Sequence, residues 1–222
     1  EAPPRFPLTV QSVEGLADEV YRVRLDPHPL PWTPGDCVTL YGPGTEEGRP
    51  YSFSGPPDAA YTEFWIRRFP QGRISSFLTR LEAGSTVEVS PPFGWFRPCE
   101  PAGVSRIFIA TGTGIAPFLS ALSTGPSASV RILWGMRRSL PLPDVLSGYA
   151  LQRCVSGEGK AGGVPRRVTD LLPELDLGGM PHFYLCGLDV MIEEVSRILR
   201  ERGVPDQRIH TECFFTSSSS SS

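Results

Sequence analysis

Along residues 5–90 apolar and polar positions alternate in short runs, the period of a half-buried strand. Residues 5–13 and 19–26 alternate on either side of Gly15 and predict two antiparallel strands joined by a turn there. A proline-rich connection, 27–34, leads to Gly35-Asp36, which opens a strand over 37–41. A Gly/Pro-rich stretch then precedes Arg49-Pro50-Tyr51-Ser52-Phe53-Ser54. This reads as a strand with Arg49, Tyr51 and Phe53 on one face and Pro50, Ser52 and Ser54 on the other. Residues 61–69 predict another, with Phe64, Ile66 and Arg68 on one face, and 86–90 a further short one. Only over 71–81 does the period become helical, with Ile74, Phe77, Leu78 and Leu81 on one side. Six short strands at this spacing predict a small antiparallel Greek-key β-barrel.

The pattern changes where Pro98, Pro101 and Gly103 cluster, which predicts a domain boundary. Beyond it, strands and helices alternate. Strands are expected at 106–110, 130–134, 150–155, 183–186 and 208–211, and helices after Pro117, at 168–172 and at 190–202. Such alternation implies a parallel α/β sheet with helices on both faces. The expected division is 1–98 for the barrel, 99–215 for the α/β domain, and a low-complexity serine tail over 216–222.

Composition narrows the function classes. The 222 residues suffice for two modest cores, and a net charge of -3 argues against nucleic acid or an anionic membrane as a partner. No apolar stretch approaches the ~20 residues of a membrane span. The first residues carry no leader pattern, the lone cysteines fit a cytoplasmic protein, and a monomer is expected. Five cysteines stand apart at 37, 99, 154, 186 and 213. That spacing argues against a disulfide framework, a zinc site or an iron–sulfur cluster held by this chain, so no metal site is expected.

Two stretches carry candidate chemistry. Within 49–54 a permanent cation, an aromatic face and a hydroxyl lie close together, which suits a flat, charged ligand. Read alone, the stretch equally fits an ordinary barrel strand with one surface arginine. Gly72 and Ser75 begin the predicted helix, where free N–H groups attract phosphate; a capping serine is the plainer reading. In the second half, Thr111-Gly112-Thr113-Gly114-Ile115-Ala116-Pro117 joins a strand to a helix, with glycines that let backbone amides approach a pyrophosphate. Gly135-Met136-Arg137-Arg138 and Cys186-Gly187-Leu188 mark two further strand ends, on the edge where α/β sheets bind ligands. Three glycine-bearing ends on one rim suggest a dinucleotide site.

In order and spacing, Arg49-x-Tyr51-Ser52, Gly72-x-x-Ser75, Pro92-Phe93-Gly94, Gly112-Thr113-Gly114-x-Ala116-Pro117 and Cys186-Gly187 resemble the ferredoxin–NADP reductase superfamily. Within it, Arg49 to Ser54 and Arg67 with Gln71-Gly72-Arg73 most resemble the reductase components of bacterial ring-hydroxylating oxygenases. Pro91 stands where the family usually has glycine.

The resemblance implies FAD in the barrel. Arg49, Gly72, Arg73, Ile74 and Ser75 would serve the pyrophosphate, and Ile66 and Arg67 the ribityl and phosphate region. Tyr51 would stack on the isoalloxazine, Ser52 would approach its N5, and Pro50 would also bind the cofactor. It implies NADH or NADPH on the 112–117 turn, with Cys186 and Gly187 near the nicotinamide and Glu212 and Phe214 reaching the flavin. Ser52, Cys186 and Glu212 are the expected catalytic residues. The expected activity is hydride transfer from NAD(P)H to FAD, then single electrons to a ferredoxin-like, oxygenase or haem acceptor on a separate chain. Reduction of free flavin or ferric chelates, and a non-catalytic FAD-binding subunit, are the alternatives. Arg137 and Arg138, with no acid before Asp144, suit a ribose 2′-phosphate, whereas Gly157 stands where phosphate-binding relatives often carry arginine. Both nicotinamide cofactors are therefore expected to work, with modest discrimination.

Overall fold

A computed structural model describes residues 3–17, 19–125, 129–157 and 166–215; the serine tail lies outside the described residues. The chain divides into two compact units, 1–99 with 116–126, and 100–115 with 127–222.

The first unit contains β1 (Phe6–Ala17), β2 (Val20–Leu25), β3 (Cys37–Tyr41), β4 (Gly48–Ser52), β5 (Thr62–Arg67), a short helix α1 (Arg73–Leu78) and β6 (Thr86–Val89). They form an antiparallel sheet in the order β4-β3-β6-β1-β2-β5. Its edges meet because the chain changes partner after β4. The Phe53 N–H donates to the Asp36 carbonyl at 3.2 Å, and the next N–H, from Ser54, donates to the Glu63 carbonyl of β5 at 2.8 Å. The Ser54 hydroxyl adds a bond to Glu63 Oε1 at 2.9 Å. Val23, Leu25, Val38, Leu40, Phe53, Phe64, Ile66, Leu78 and Val89 are fully enclosed and form the core.

Three expectations change here. Gly15 does not turn the chain; it lies within β1 opposite Tyr21, beside a register shift, and the reversal falls at Glu19, whose φ is 59°. The Arg49 strand ends at Ser52, and Phe53 does not share Arg49's surroundings. Phe53 is stacked on Trp32 at 4.0 Å and packed on Phe64, whereas Arg49 is exposed. Burial of a large ring outweighs strand alternation at the point where the ladder changes partner. The helix predicted over 71–81 is shorter: Gly72 is its N-cap and Thr79 its C-cap, and the Thr79 hydroxyl donates to the Ser75 carbonyl at 2.8 Å.

The second unit begins with β7 (Arg106–Thr111), which enters a 3-10 turn at Gly112–Ile115; α2 (Ala116–Ser123) follows, within the first unit. The rest comprises β8 (Val130–Met136), β9 (Ala150–Val155), β10 (His182–Leu188), α3 (Asp189–Glu201) and β11 (Ile209–Phe215). The sheet order is β11-β10-β7-β8-β9, every neighbouring pair parallel. The apolar stripe of α3, Met191, Ile192, Val195 and Leu199, packs on Ile107, Ile109, Phe183 and Leu185. Phe108, Ile132, Trp134, Tyr184 and Cys186, on the opposite face, are also buried. Burial on both faces explains why these strands read as unbroken apolar runs.

β8, β10 and β11 each run past those runs, to Met136, Leu188 and Phe215. A backbone ladder does not need apolar side chains. It therefore continues through Gly135, Gly187 and Glu212, where hydrophobic patterning stops.

Phe53→Ala is expected to lower unfolding free energy by about 3–5 kcal/mol, the cost of emptying a ring-sized site in a packed core. Urea denaturation of the two proteins measures it, and a loss near zero would show that Phe53 does not anchor the barrel.

Candidate functional site

In the first unit the predicted residues follow one another along β4. Arg49 is exposed; its Nη1 donates to the adjacent Gly48 carbonyl at 3.1 Å, and Glu47 lies 4.0 Å from its Nη2. Glu47 also pairs with Arg73 at 3.1 Å, so one carboxylate lies between two exposed guanidinium groups from different elements. Pro50 is exposed. Tyr51 is half-buried against the barrel core, and burial pushes its phenol up to about 12, the nearby Arg49 cation offsetting only part of this. The ring is thus neutral at working pH and remains partly exposed. Ser52 is 4% exposed, yet its hydroxyl makes no hydrogen bond among the described residues.

The remaining barrel positions divide into side chains at the surface and side chains inside. Arg67 is exposed, its guanidinium 5.3 Å from the Phe69 ring. Ile66 and Ile74 are core residues. The Ser75 hydroxyl is engaged within its own turn, accepting from the Phe69 N–H at 3.1 Å and donating to the Gly72 carbonyl. A Cβ on Gly72 would lie 2.6 Å from that hydroxyl, which explains glycine there. At Ile66, Gly72, Ile74 and Ser75, therefore, only backbone groups are offered to a ligand.

In the second unit the three glycine-bearing strand ends do share one rim, in the register Cys186–Ala110 and Thr111–Gly135. The chain runs from β7 outward to β8 and β9, then returns to β10 on β7's other side. This reversal is the switch point at which open α/β sheets bind ligands. Gly112 has φ 53°, with nothing near the position of a Cβ, so its backbone is open to approach. Thr113, 3% exposed, has a hydroxyl without a hydrogen bond among the described residues. A Cβ on Gly114 would overlap the Cys186 carbonyl, and one on Gly187, whose φ is 137°, would overlap Thr111 Oγ1. Ile115, Ala116 and Pro117 are buried, and Leu188 is half-buried. Arg137 and Arg138 project from the end of β8, both exposed.

Two supporting residues were not singled out by sequence. Thr111 Oγ1 accepts the Leu188 N–H at 3.0 Å, fixing the register shift at the end of β10. Trp134, fully buried, donates its Nε1–H to the Gly112 carbonyl at 3.0 Å and fixes the turn from β8. Thr111's place just before the first glycine was the one available signal; nothing in the sequence marked Trp134.

Cys186 is fully buried and lies opposite Glu212 in the ladder. Burial, then the Glu212 carboxylate, push its thiol well above 9.0. It is a neutral thiol at physiological pH, a small polarizable surface rather than a nucleophile. Phe214 lies two residues on, half-buried.

The chain matches the family of oxidoreductase FAD-binding domains over residues 7–97. It is 31% identical over 196 residues to ferredoxin–NADP reductase B of Sorangium cellulosum, covering 77% of this chain and 79% of that one. The chain belongs to the ferredoxin–NADP reductase family. It is also 30% identical to the toluate 1,2-dioxygenase electron transfer component of Pseudomonas putida, over 85% of this chain but only 60% of that protein. Among solved structures it resembles the Amycolatopsis cytochrome P450 reductase GcoB, with a TM-score of 0.81 and 29% identity over 97% of this chain and 71% of that one. As a member of the family it is an NAD(P)H-dependent oxidoreductase that uses FAD. The donor set suits that cofactor: exposed guanidinium groups for phosphate, a partly exposed neutral ring, and a Ser52 hydroxyl that makes no hydrogen bond among the described residues.

In native protein Cys213, exposed, should alkylate at pH 8 while Cys186 stays unmodified until the chain unfolds. The unfolded thiol ionises near 9.0 and the folded one well above it, so this contribution to stability is intact below pH 9.0 and falls as the solution becomes more alkaline. Mass spectrometry of iodoacetamide-treated protein checks the first point and thermal melts across pH 8–10.5 the second. Labelling of Cys186 in the folded state would refute the burial argument.

Proposed function

We propose that this chain takes hydride from NAD(P)H onto FAD and delivers electrons singly to an iron–sulfur or haem protein on another chain. The toluate dioxygenase component and GcoB, which it resembles, are named for electron transfer to an oxygenase and a cytochrome P450. FAD supplies the conversion of a two-electron donor into single electrons. This chain's own residues bind and orient. Arg49, Arg73 and the amides of the 72–75 turn hold the FAD pyrophosphate. The ring of Tyr51 gives the isoalloxazine a flat apolar face, and the Ser52 hydroxyl hydrogen-bonds at its N5. Amides of the 112–117 turn hold the nicotinamide dinucleotide's phosphates. Cys186 and Gly187 lie against its nicotinamide, the thiol being neutral and water-excluding. Glu212 and Phe214 close the same end, and Arg137 and Arg138 face the adenosine. The observation that carries the reading is a Ser52 hydroxyl that makes no hydrogen bond among the described residues and is not sealed off inside the barrel, beside a partly exposed neutral ring and an exposed guanidinium.

The FAD-loaded protein should oxidise NADH or NADPH with a [2Fe–2S] ferredoxin or cytochrome c as acceptor at least about tenfold faster than with free FMN or ferric citrate, a barrier difference of ~1.4 kcal/mol. Faster turnover with FMN or ferric citrate would favour a free-flavin reductase, and no oxidation with any acceptor a binding subunit. Ser52→Ala should slow flavin reduction in stopped flow by about tenfold or more at unchanged FAD content, because a positioned hydrogen bond is lost. An unchanged rate would remove Ser52 from the chemistry. Arg49→Ala should weaken FAD retention by about 1.5–3 kcal/mol, the scale of one hydrogen bond to a charged group, read by equilibrium dialysis of the apoprotein with FAD.

A further inference from the structure

The residues beyond β8 form a closed loop. Met136 and Leu140 are buried, and the Leu140 N–H donates to Met136 Sδ at 3.4 Å, so 137–139 are held out in solvent. On one side the loop is fixed to the end of β9. The Ser156 N–H donates to the Met136 carbonyl and the Gly157 N–H to the Arg137 carbonyl, each at 2.9 Å. A Cβ on Gly157 would overlap that Arg137 carbonyl. Glycine therefore stands at 157 because the Arg137 backbone occupies the space a side chain would need.

The other side is fixed by Arg153, which pairs with Trp134 in the β8–β9 register. Its Nη2 donates to the Leu140 carbonyl at 2.5 Å and the Ser139 hydroxyl at 2.9 Å, and lies 3.7 Å from Met136 Sδ. Its guanidinium carbon sits 5.7 Å from the Trp134 ring, the same ring whose Nε1–H binds the Gly112 carbonyl. One exposed arginine thus spans the strand end that carries Arg137 and Arg138 and touches the tryptophan that fixes the phosphate-binding turn. Among the described residues Arg153 makes no ion pair, and its side-chain hydrogen bonds go to loop 136–140.

We propose that Arg153 is a positioning residue that sets the preference for NADPH over NADH, by holding loop 136–140 closed so that Arg137 and Arg138 present a fixed pair of cations to a ribose 2′-phosphate. The inference rests on the reading that these two arginines face the cofactor's adenosine. An arginine fork loses little further entropy when its backbone is already fixed, whereas the same side chains on an open loop would have to be ordered by the ligand. Arg153 is too committed to the loop to read the phosphate itself.

The test uses the FAD-loaded full chain and two probes, adenosine 2′,5′-bisphosphate and AMP, titrated by calorimetry. Wild type should bind the bisphosphate more tightly than AMP. Arg153→Met, which keeps the stem and removes the donors, should weaken the bisphosphate about tenfold and AMP less than about twofold, the scale of one charge-assisted contact. Arg153→Lys, which keeps one donor toward the Leu140 carbonyl, should restore part of the difference. In turnover the methionine variant should raise KM for NADPH by a similar factor with kcat and KM for NADH little changed, and the Leu140 amide should exchange with deuterium faster. If Arg153→Met weakens both probes equally, or leaves Leu140 exchange and bisphosphate binding as in wild type, the inference is wrong. If wild type itself does not distinguish the two probes, the reading of Arg137 and Arg138 falls and the inference with it. If wild type discriminates, and Arg137→Ala with Arg138→Ala abolishes this while Arg153→Met does not, only the inference falls.

Discussion

Backbone-to-backbone packing at the carboxyl ends of β7 and β10 governs the second unit. Thr111 Oγ1 holds the Leu188 N–H, and a methyl group on either Gly114 or Gly187 would occupy space already taken by the Cys186 carbonyl or by Thr111. Three segments therefore meet with no side chains between them. The glycines are required first for this approach and only secondly for the turn. Because the strand order reverses here, the connections leave the rim in opposite directions and the turn at 112–115 stays open to approach. The same contact sets Cys186 opposite Glu212 and Ala110, deep enough that its thiol stays protonated.

The barrel meets its own constraint differently. An antiparallel sheet must hide its edges, and this one does so at Phe53-Ser54, where the chain passes from β3's ladder to β5's. Phe53 enters the core as the exchange occurs, between Trp32 and Phe64. That burial fixes the strand end and leaves Arg49, Tyr51 and Ser52, immediately upstream, in progressively deeper positions from solvent to interior. A single six-residue stretch therefore anchors the unit at one end and presents chemistry at the other.

Much of this was legible in the sequence because two periods are physically distinct. Period-two runs gave the barrel strands, unbroken apolar runs between helices gave the parallel sheet, and the order of short motifs gave the candidate site. The misreadings share a cause. Gly15 reads as a turn, but glycine also relieves a bulge, and only the partner strand's register decides between these uses. The strand ends at Gly135, Gly187 and Glu212 were placed too early because a ladder is a backbone property that polarity does not report. The supporting roles of Thr111, Trp134 and Arg153 escaped notice because each acts through side-chain hydrogen bonds to groups distant in sequence, which no local pattern encodes.

The two units handle charge in opposite ways, and the difference follows from solvent. Arg49, Arg73 and Glu47 are partly or largely exposed, so their mutual pairing adds little to stability. Such exposed cations lose little by exchanging this carboxylate for another anion. Cys186 and Glu212 are arranged the other way. Enclosure makes a thiolate beside that carboxylate prohibitive, so the thiol cannot become a competing nucleophile or take up charge as an acceptor would. The cations of the first unit therefore stay wet, and the Cys186 thiol of the second stays dry and neutral.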